Sequence, residues 1–305
     1  MPALAESWPP LPLHAWKDTY ATLHMWTQIV GKIRMALTPP VNHWWHVTLY
    51  PTARGLTTSP IPYATGQFEI LFDFVNDVLV VECSDGRSAQ LPLVARSVAD
   101  FYREVLALLA SLGIRVKLWP MPVEVPNPIR FTEDREHASY DAECARRWWR
   151  IVLETDAVFK EFRGRFIGKC SPIHFFWGAF DLAVTRFSGR PAPQRENVDP
   201  VTAEGYSHEV ISHGFWPGGA WAGGGEIDAP VYYSYTAPEP PGLRDARIGP
   251  AGASYSAALS EFLLPYDEVR TAASPRDTLL EFLQTTYEAG AGRARWDRAS
   301  LERRA

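Results

Sequence analysis

Four stretches of the chain carry apolar residues at helical spacing. The first runs from Leu13 to the prolines at 39 and 40, and it predicts an amphipathic helix. The second follows Ser97, a residue type that caps helix N-termini well. Two more cover residues 140–162 and the segment that begins at Ser274-Pro275. The pattern therefore predicts two pairs of helices.

Between the helices of each pair, the spacing changes to the two-residue alternation of strands. In the first half, an aromatic run, HWWHVTLYPTA, precedes three short predicted strands within FEILFDFVNDVLVVECSDGRSAQLPL. The second half has four strand-like runs: HFFWGAFDLAVTRF, YSHEVISHGFW, PVYYSYT and SEFLLPY. Each half therefore reads as a helix, a four-stranded antiparallel meander and a helix. We expect an α+β fold with helices packed on one face of each sheet.

A proline-rich segment, PMPVEVPNP at 120–128, is the best candidate for a boundary, because its four prolines remove backbone donors. We predict an N-terminal α+β half over 1–128 and a C-terminal half over 129–305, as separate units or as one compact unit. The runs HWWHVTLY and HFFWGAFD begin alike, which suggests an internal duplication. The alternative is chance likeness in an aromatic-rich chain. A duplication would favour a ligand pocket between the two sheets.

Composition narrows the class of protein. The 305 residues are 46% hydrophobic and include 12 Trp, 12 Tyr and 15 Phe, so the chain can bury a large core. It starts without a signal-peptide pattern and has no long apolar run, which predicts a cytoplasmic protein without a membrane partner. The formal charge of −5 and the absence of a binding motif disfavour nucleic acid. Nothing in the sequence assigns a cofactor or an oligomeric state.

The segment YSHEVISHGFWPGG, residues 206–219, resembles a metalloprotease motif at first sight. Such a motif needs two histidines at i and i+4 on a helix, whereas His208 and His213 are five apart. The neighbouring residues favour a strand, and a period of two places His208 with Ser212 on one face and Glu209 with His213 on the other. We therefore expect no two-histidine metal site from this segment alone.

The candidate site consists of polar residues set among strand-forming aromatics. A carboxylate such as Asp181 in that setting has its charged form disfavoured unless it is paired, which suits either an ion pair with an arginine or a catalytic acid or base. The predicted catalytic residues are Asp181, Glu209, His174, His208 and His213. The predicted ligand-binding residues are His43, His46, Arg54, Trp177 and Arg186.

These candidates lead to three hypotheses. The first is a pocket for a small polar or anionic molecule, with Asp181 or Glu209 as base, a histidine as its partner and Arg54 or Arg186 as anion clamp. The second is a metal-dependent hydrolase, with ligands drawn from His43 or His46, His174, His208, Glu209 and His213. The third is a non-catalytic binding or assembly module whose aromatics are only core. Convergence of the polar side chains in one concavity would favour an active site.

Several long motifs also resemble one family. They are NHWWHVTLYPTARGLTTSPIPY (42–63), SVADFYREV (97–105), SPIHFFWGAFDLAVTRFSGRPAP (171–193), YSHEVISHGFWPGG (206–219), EFLLPYDEVR (261–270) and WDR (296–298). Together they are similar to a bacterial domain-of-unknown-function family, number 5996, over nearly the whole chain. The resemblance implies a single family unit of this length, and it implies no reaction, cofactor or site residue.

Overall fold

The computed structural model describes residues 6–64, 66–221 and 224–303, and within them the chain forms seven α-helices and fourteen β-strands. The helices are α1 Leu13–Leu37, α2 Val98–Ser111, α3 Ala142–Gly164, α4 Pro200–Gly205, α5 Tyr266–Arg270, α6 Pro275–Arg293 and α7 Arg298–Leu301. Among these described helices, none is long and apolar enough to cross a bilayer. The four long helices coincide with the four stretches of helical spacing, which confirms those predictions.

The first sheet is antiparallel and has six strands in the order β1-β2-β4-β5-β6, with β3 paired to β4. Its strands are β1 Tyr50–Thr52, β2 Gly55–Thr57, β3 Ile61–Tyr63, β4 Gly66–Asp73, β5 Val78–Cys83 and β6 Ser88–Pro92. Phe68, Ile70 and Phe72 alternate along β4 and are buried, as their spacing predicts. The helix α2 follows, and the Ser97 side chain accepts a hydrogen bond from the Asp100 N–H at its first turn.

The second sheet is also antiparallel, in the order β13-β14-β12-β9-β8-β7. Its strands are β7 His174–Phe176, β8 Asp181–Pro191, β9 His208–Trp216, β12 Val231–Ala237, β13 Ser254–Ser256 and β14 Glu261–Pro265. A separate hairpin pairs β10 Gly219–Trp221 with β11 Gly225–Ile227. The α+β class is therefore confirmed.

Two details of the sequence prediction differ from the structure. Each main sheet has six strands rather than four, because three-residue strands such as β1 and β7 are too short to show an alternating pattern. The glycine-rich stretch at 218–226, which lies between two of the predicted strand-like runs, forms most of the β10–β11 hairpin, although Ala222 and Gly223 lie outside the described residues. The predicted boundary at 120–128 forms neither helix nor strand and bends at 124–127, and buried side chains from both sides of it form one continuous core.

The first helix lies at the centre of this core. All residues from Thr22 to Arg34 are buried, so the middle of α1 is enclosed on every side and is not amphipathic as predicted. On one side, Trp26 stacks on Phe101 of α2 with ring centroids 4.4 Å apart. On another, the indole of Trp177 lies over Gly31 and donates a hydrogen bond to the Val47 carbonyl at 2.7 Å. Helix α1 thus touches structure from both halves of the chain.

Four large polar residues on α1 are buried with it, and three of them find backbone partners. His24 Nε2 lies 2.8 Å from the Gly178 carbonyl oxygen, and the Gln28 amide donates to the Val123 carbonyl at 2.8 Å. Arg34 Nε donates to the His46 carbonyl at 2.7 Å. The Lys32 ammonium lies 4.9 Å from the centroid of the Trp119 ring. These contacts compensate for the removal of polar groups from water.

The contact between α1 and Trp177 leads to a prediction about stability. A Cβ atom on Gly31 would lie 2.3 Å from Trp177 Cδ1, so the indole must move and its hydrogen bond to Val47 must weaken. We expect Gly31→Ala to lower the free energy of unfolding by about 1 to 3 kcal/mol, as overpacked core sites do, despite the better helix propensity of alanine. Chemical denaturation measures the change.

Gly292 of α6 provides the matched control. It is exposed, and a Cβ atom there would meet nothing within 4 Å. Gly292→Ala should therefore raise the free energy of unfolding by up to about 1 kcal/mol through helix propensity alone. Equal shifts for the two substitutions would contradict the proposed packing of Trp177 on α1.

Candidate functional site

The two faces of the second sheet have different environments. One face, here called the helix face, packs against α3 and α6, and it carries His213, whose ring lies 4.8 Å from that of Phe162. The opposite face, here called the groove face, carries Ser212, which meets the Thr185 hydroxyl at 2.9 Å. Neighbouring residues of β9 thus point to opposite sides, which confirms the strand assignment of the HEVISH segment.

Asp181 is the central polar residue of the groove face. It is 7% exposed, and its carboxylate accepts a hydrogen bond from the hydroxyl of Tyr233, which lies two strands away on β12. Gly214 lies between them on β9 and pairs with Tyr233 across the strands. A Cβ atom on Gly214 would be 2.2 Å from Cζ of Tyr233, so only glycine lets that ring lie flat across β9. A missing side chain thus allows the tyrosine to reach the carboxylate.

Further tyrosines extend the groove face. The Tyr233 and Tyr235 rings are nearly parallel, with centroids 6.1 Å apart. The Tyr206 hydroxyl donates to the Tyr235 hydroxyl at 3.0 Å. Glu261 begins β14, which pairs with β12, and it lies half-buried on the same face. We use the name carboxylate groove for the side chains of Glu124, Asp181, Trp216, Tyr233, Tyr235 and Glu261, of which Asp181 is buried, Glu124 is exposed and the other four are half-buried.

Asp181 is held in place by a tight turn that α1 clamps. Phe180, which directly precedes it, has a φ of 61°, an uncommon left-handed conformation for a non-glycine residue. His24 and Gln28 hold the turn through the Gly178 carbonyl, at 2.8 and 3.3 Å. Burial lowers the pKa of His24 to about 4, so its ring is neutral and donates from Nε2. The strained turn is therefore fixed by buried hydrogen bonds.

The same helix positions Glu124 beside the turn. Gln28 binds Val123 at both ends of its amide, accepting from the N–H at 2.9 Å and donating to the carbonyl at 2.8 Å. The next residue, Glu124, has a φ of 58°, and its carboxylate lies against Gly178. A cavity of about 250 Å³ opens here; its lining includes Tyr20, His24, Glu124, His137, Trp216 and Ala220. The proline-rich segment thus forms one wall of this cavity, which shares Glu124 and Trp216 with the carboxylate groove.

The electrostatics of the groove favour the protonated forms of its carboxyl groups more than water does. Burial raises the pKa of Asp181 to about 7, although the Tyr233 hydrogen bond opposes the rise. Burial also raises the pKa of Glu261 to about 7, and the charge of Asp181 adds to this effect. Within the described part of the chain, no ion pair involves Asp181, Glu124 or Glu261. The arginine partner that the ion-pair alternative required for Asp181 is thus not seen there.

The ten residues predicted from the sequence do not converge on Asp181. Three lie on the helix-face side of the second sheet. Arg186 has its guanidinium 3.5 Å from the centroid of the Phe162 ring and donates to the Phe162 carbonyl. His213 contacts the Thr286 hydroxyl at 3.1 Å, and Glu209 pairs with Arg190 at 2.7 Å. These three contacts are structural, and Arg186 has no access to the groove as an anion clamp.

Four predicted histidines lie near the turn that precedes the first sheet. His43 and His208 have ring centroids 5.7 Å apart, at the far end of the groove face from Asp181. His174 is fully buried between the rings of Trp45 and Tyr50, and burial lowers its pKa to about 3. His46 Nδ1 accepts a hydrogen bond from the Val41 N–H at 3.2 Å. Only His43 and His208 of this set meet each other.

The remaining two candidates have structural contacts elsewhere. Arg54 pairs with Asp73 of the first sheet at 2.7 Å, and Trp177 packs on α1. Across residues 6–64, 66–221 and 224–303, no three His, Cys, Asp or Glu side chains are grouped closely enough to hold a metal ion. The ligand set suggested for a metal-dependent hydrolase therefore finds no support in this part of the chain.

Sequence reasoning identified Asp181 but missed its partners. Tyr233 and Tyr235 alternate along a strand-like run, a pattern that core packing explains equally well. Gly214 offered a usable signal, since a glycine inside a strand marks a close approach by another group. Glu124 and Glu261 reach the groove through tertiary contacts that no local pattern encodes.

The structure is that of an α+β protein with two main antiparallel sheets. The second sheet carries carboxyl groups and tyrosines on its groove face, opposite α3 and α6. The chain belongs to a family of unknown function, DUF5996, whose model matches residues 8–303. The resemblance seen in the sequence motifs is therefore confirmed. Neither a curated protein nor a solved structure matches the chain.

The raised pKa of Asp181 predicts how stability changes with pH. The folded-state pKa is about 7, against about 3.9 for an unfolded aspartate. The folded protein therefore binds more protons between these values, so this carboxyl lowers the free energy of unfolding as the pH rises from about 4 to about 7. An asparagine at this position would still accept the Tyr233 hydrogen bond but would not titrate. We expect the stability of Asp181→Asn relative to the wild type to increase by roughly 1 to 3 kcal/mol between pH 5 and pH 8.

Denaturation of both proteins across this pH range is the measurement. The comparison cancels the buried histidines, whose lowered pKa values act in the opposite direction. Asp267→Asn is the control, because that carboxylate is 74% exposed on α5. A difference between Asp181→Asn and the wild type that does not change with pH would contradict a raised pKa.

Proposed function

We propose that the carboxylate groove binds a small polar molecule that bears hydroxyl or protonated amino groups, and that Asp181 exchanges a proton with it. The main support is a desolvated carboxyl that takes a hydrogen bond from Tyr233 and lies beside the half-buried faces of two tyrosines. A carboxyl with a pKa near 7 is matched to proton transfer at neutral pH, because both protonation states are populated there.

The charges of the groove favour donors over anions. Asp181, Glu124 and Glu261 have no cationic partner within the described residues, so a bound anion would meet repulsion. A ligand with hydroxyl or ammonium donors would satisfy them. The half-buried faces of Trp216, Tyr233 and Tyr235 offer apolar and cation–π contacts to such a ligand. The earlier hypothesis allowed a polar or an anionic ligand. We now restrict it to polar molecules that are uncharged or cationic.

Tyr233 has a specific role in this proposal. Burial and the charge of Asp181 both raise its pKa well above the usual value, so the hydroxyl stays protonated and donates. It therefore holds the carboxylate oxygen in one orientation, and Gly214 holds the ring that carries the hydroxyl. Loss of either contact would leave the carboxyl in the groove but wrongly oriented.

Three sugars that share a ring and differ in charge test the ligand class. We expect glucosamine to bind most tightly, glucose more weakly and glucuronate least, by saturation-transfer NMR and calorimetry at pH 7. Asp181→Asn and Glu261→Gln should each weaken glucosamine binding by about fivefold or more, as the loss of a hydrogen bond to a charged group does. Asp267→Asn changes the net charge equally and should leave binding unchanged.

Gly214→Ala tests the role of Tyr233 separately. It keeps every polar group but displaces the ring, so we expect it to weaken glucosamine binding while Asp181 remains in place. Preferred binding of glucuronate, or equal losses in Asp181→Asn and Asp267→Asn, would refute the proposal. Binding without any reaction of the tested sugars would leave the groove as a binding site whose acid–base role needs another substrate.

A further inference from the structure

A second group of reactive side chains lies at the far end of the groove face. Lys169 is exposed, in the connection between α3 and β7, and its backbone carbonyl accepts a hydrogen bond from the Phe187 N–H at 3.0 Å. This bond fixes the lysine beside β8. Its Nζ atom lies 2.6 Å from Nε2 of His43, a residue that enters from the turn before the first sheet.

The orientation of His43 is determined by its other contacts. Nδ1 lies 3.0 Å from the backbone carbonyl oxygen of Glu204, which only accepts, so Nδ1 carries the proton and Nε2 presents a lone pair to Lys169. The backbone N–H of His43 donates to Glu204 Oε1 at 2.9 Å. Both His43 and Trp44 have left-handed backbone conformations, with φ of 56° and 59°. Strained residues of this kind persist only where the surrounding structure holds them in place, and they are concentrated at functional sites.

Partial burial of the Lys169 side chain favours its neutral form more than water does, whereas the two aromatic rings beside it stabilise the charged form. Its Nζ atom lies 4.7 Å from the centroid of the Phe187 ring and 5.5 Å from that of Trp45. Partial burial lowers the pKa of Lys169, and burial together with the charge of Lys169 lowers the pKa of His43. A nucleophile, a base within hydrogen-bond distance and a third group that orients the base form the usual arrangement of an activated nucleophile.

We propose that Lys169 is a nucleophilic amine that forms an imine with a small aldehyde or ketone, with His43 as its base. His43 Nε2 takes a proton from the ammonium, and the freed nitrogen attacks the carbonyl carbon. A C–N bond forms while the carbonyl electron pair moves to oxygen. The amine proton and the imidazolium proton end on that oxygen, which leaves as water. The product is a protonated imine, and no oxidant or reductant takes part.

This site is separate from the carboxylate groove. Along β8, Phe187 is six positions after Asp181, which is about 20 Å at the usual strand rise. An apolar cluster of Phe187, Val210 and Ala237, with Trp45, Tyr206 and Tyr235 packed against it, extends from Phe187 beside Lys169 to Tyr235 of the groove. A small carbonyl compound at Lys169 therefore does not reach the groove carboxyls. Either proposal can be refuted without affecting the other.

The chain offers a sharp test because it contains five lysines: Lys17, Lys32, Lys117, Lys160 and Lys169. The full-length protein is treated at pH 7 with limiting propanal and cyanoborohydride, which traps imines as stable secondary amines. Peptide mass mapping then gives the initial rate at each lysine. Lys17 and Lys117, both exposed, are internal references. We expect Lys169 to be modified at least about tenfold faster than either, as base-assisted attack requires.

Variants assign the effect to His43. His43→Gln should reduce the rate at Lys169 to that of Lys17 and Lys117 without changing the rates at those two. His208→Gln removes the neighbouring imidazole and should leave the preference for Lys169 intact. A wild-type rate at Lys169 no higher than at Lys117 would overturn the proposal, and so would a preference that survives in His43→Gln. Because the wild-type rates need no variant, the test also holds when His43→Gln fails to fold.

Discussion

The groove depends on hydrogen bonds that the buried helix α1 makes with two distant segments. Gln28 holds the Val123 backbone through both ends of its amide, and together with His24 it holds the Gly178 carbonyl. A buried amide with any of these partners missing would carry the full cost of desolvation. The proline-rich segment and the β7–β8 turn are therefore fixed to one helix, and their carboxylates at Glu124 and Asp181 become neighbours.

The position of a polar residue relative to the helices decides whether it is structural or reactive. On the helix face, Arg186 and His213 are enclosed by α3 and α6, and their partners are ring faces, a backbone carbonyl and a hydroxyl. On the groove face, Asp181 is equally buried but lies beside half-buried tyrosines, and it has no charged partner within the described residues. The helix face of the sheet thus gives Arg186 and His213 structural partners. The groove face leaves Asp181 without a charged partner within the described residues.

Spacing and capping patterns in the sequence predicted the helices and strands whose formation depends on neighbouring residues. The four long helices, the strands β4 to β6 and the alternation of β9 all followed from spacing and capping, and Asp181 was identified because it lies among aromatics. The burial of α1 on every side did not follow, since its polar residues at 24, 28, 32 and 34 suggest a solvent face. Their partners come from residues far along the chain, so no periodic pattern contains them. For the same reason, the sequence did not identify Tyr233 and Glu261 as neighbours of Asp181.

The two ends of the groove face carry complementary chemistry for a single physical reason. Each end is a place where a strained backbone presents a polar side chain beside an incomplete apolar cover: Phe180 precedes Asp181 at one end, and His43 itself is left-handed at the other. Burial of Asp181 raises the pKa of its carboxyl, and partial burial of Lys169 lowers the pKa of its amine. A carboxyl with a raised pKa and an amine with a lowered pKa remain reactive only while they stay apart, because direct contact would convert them into an ion pair. The length of β8 between Asp181 and Phe187 maintains that separation.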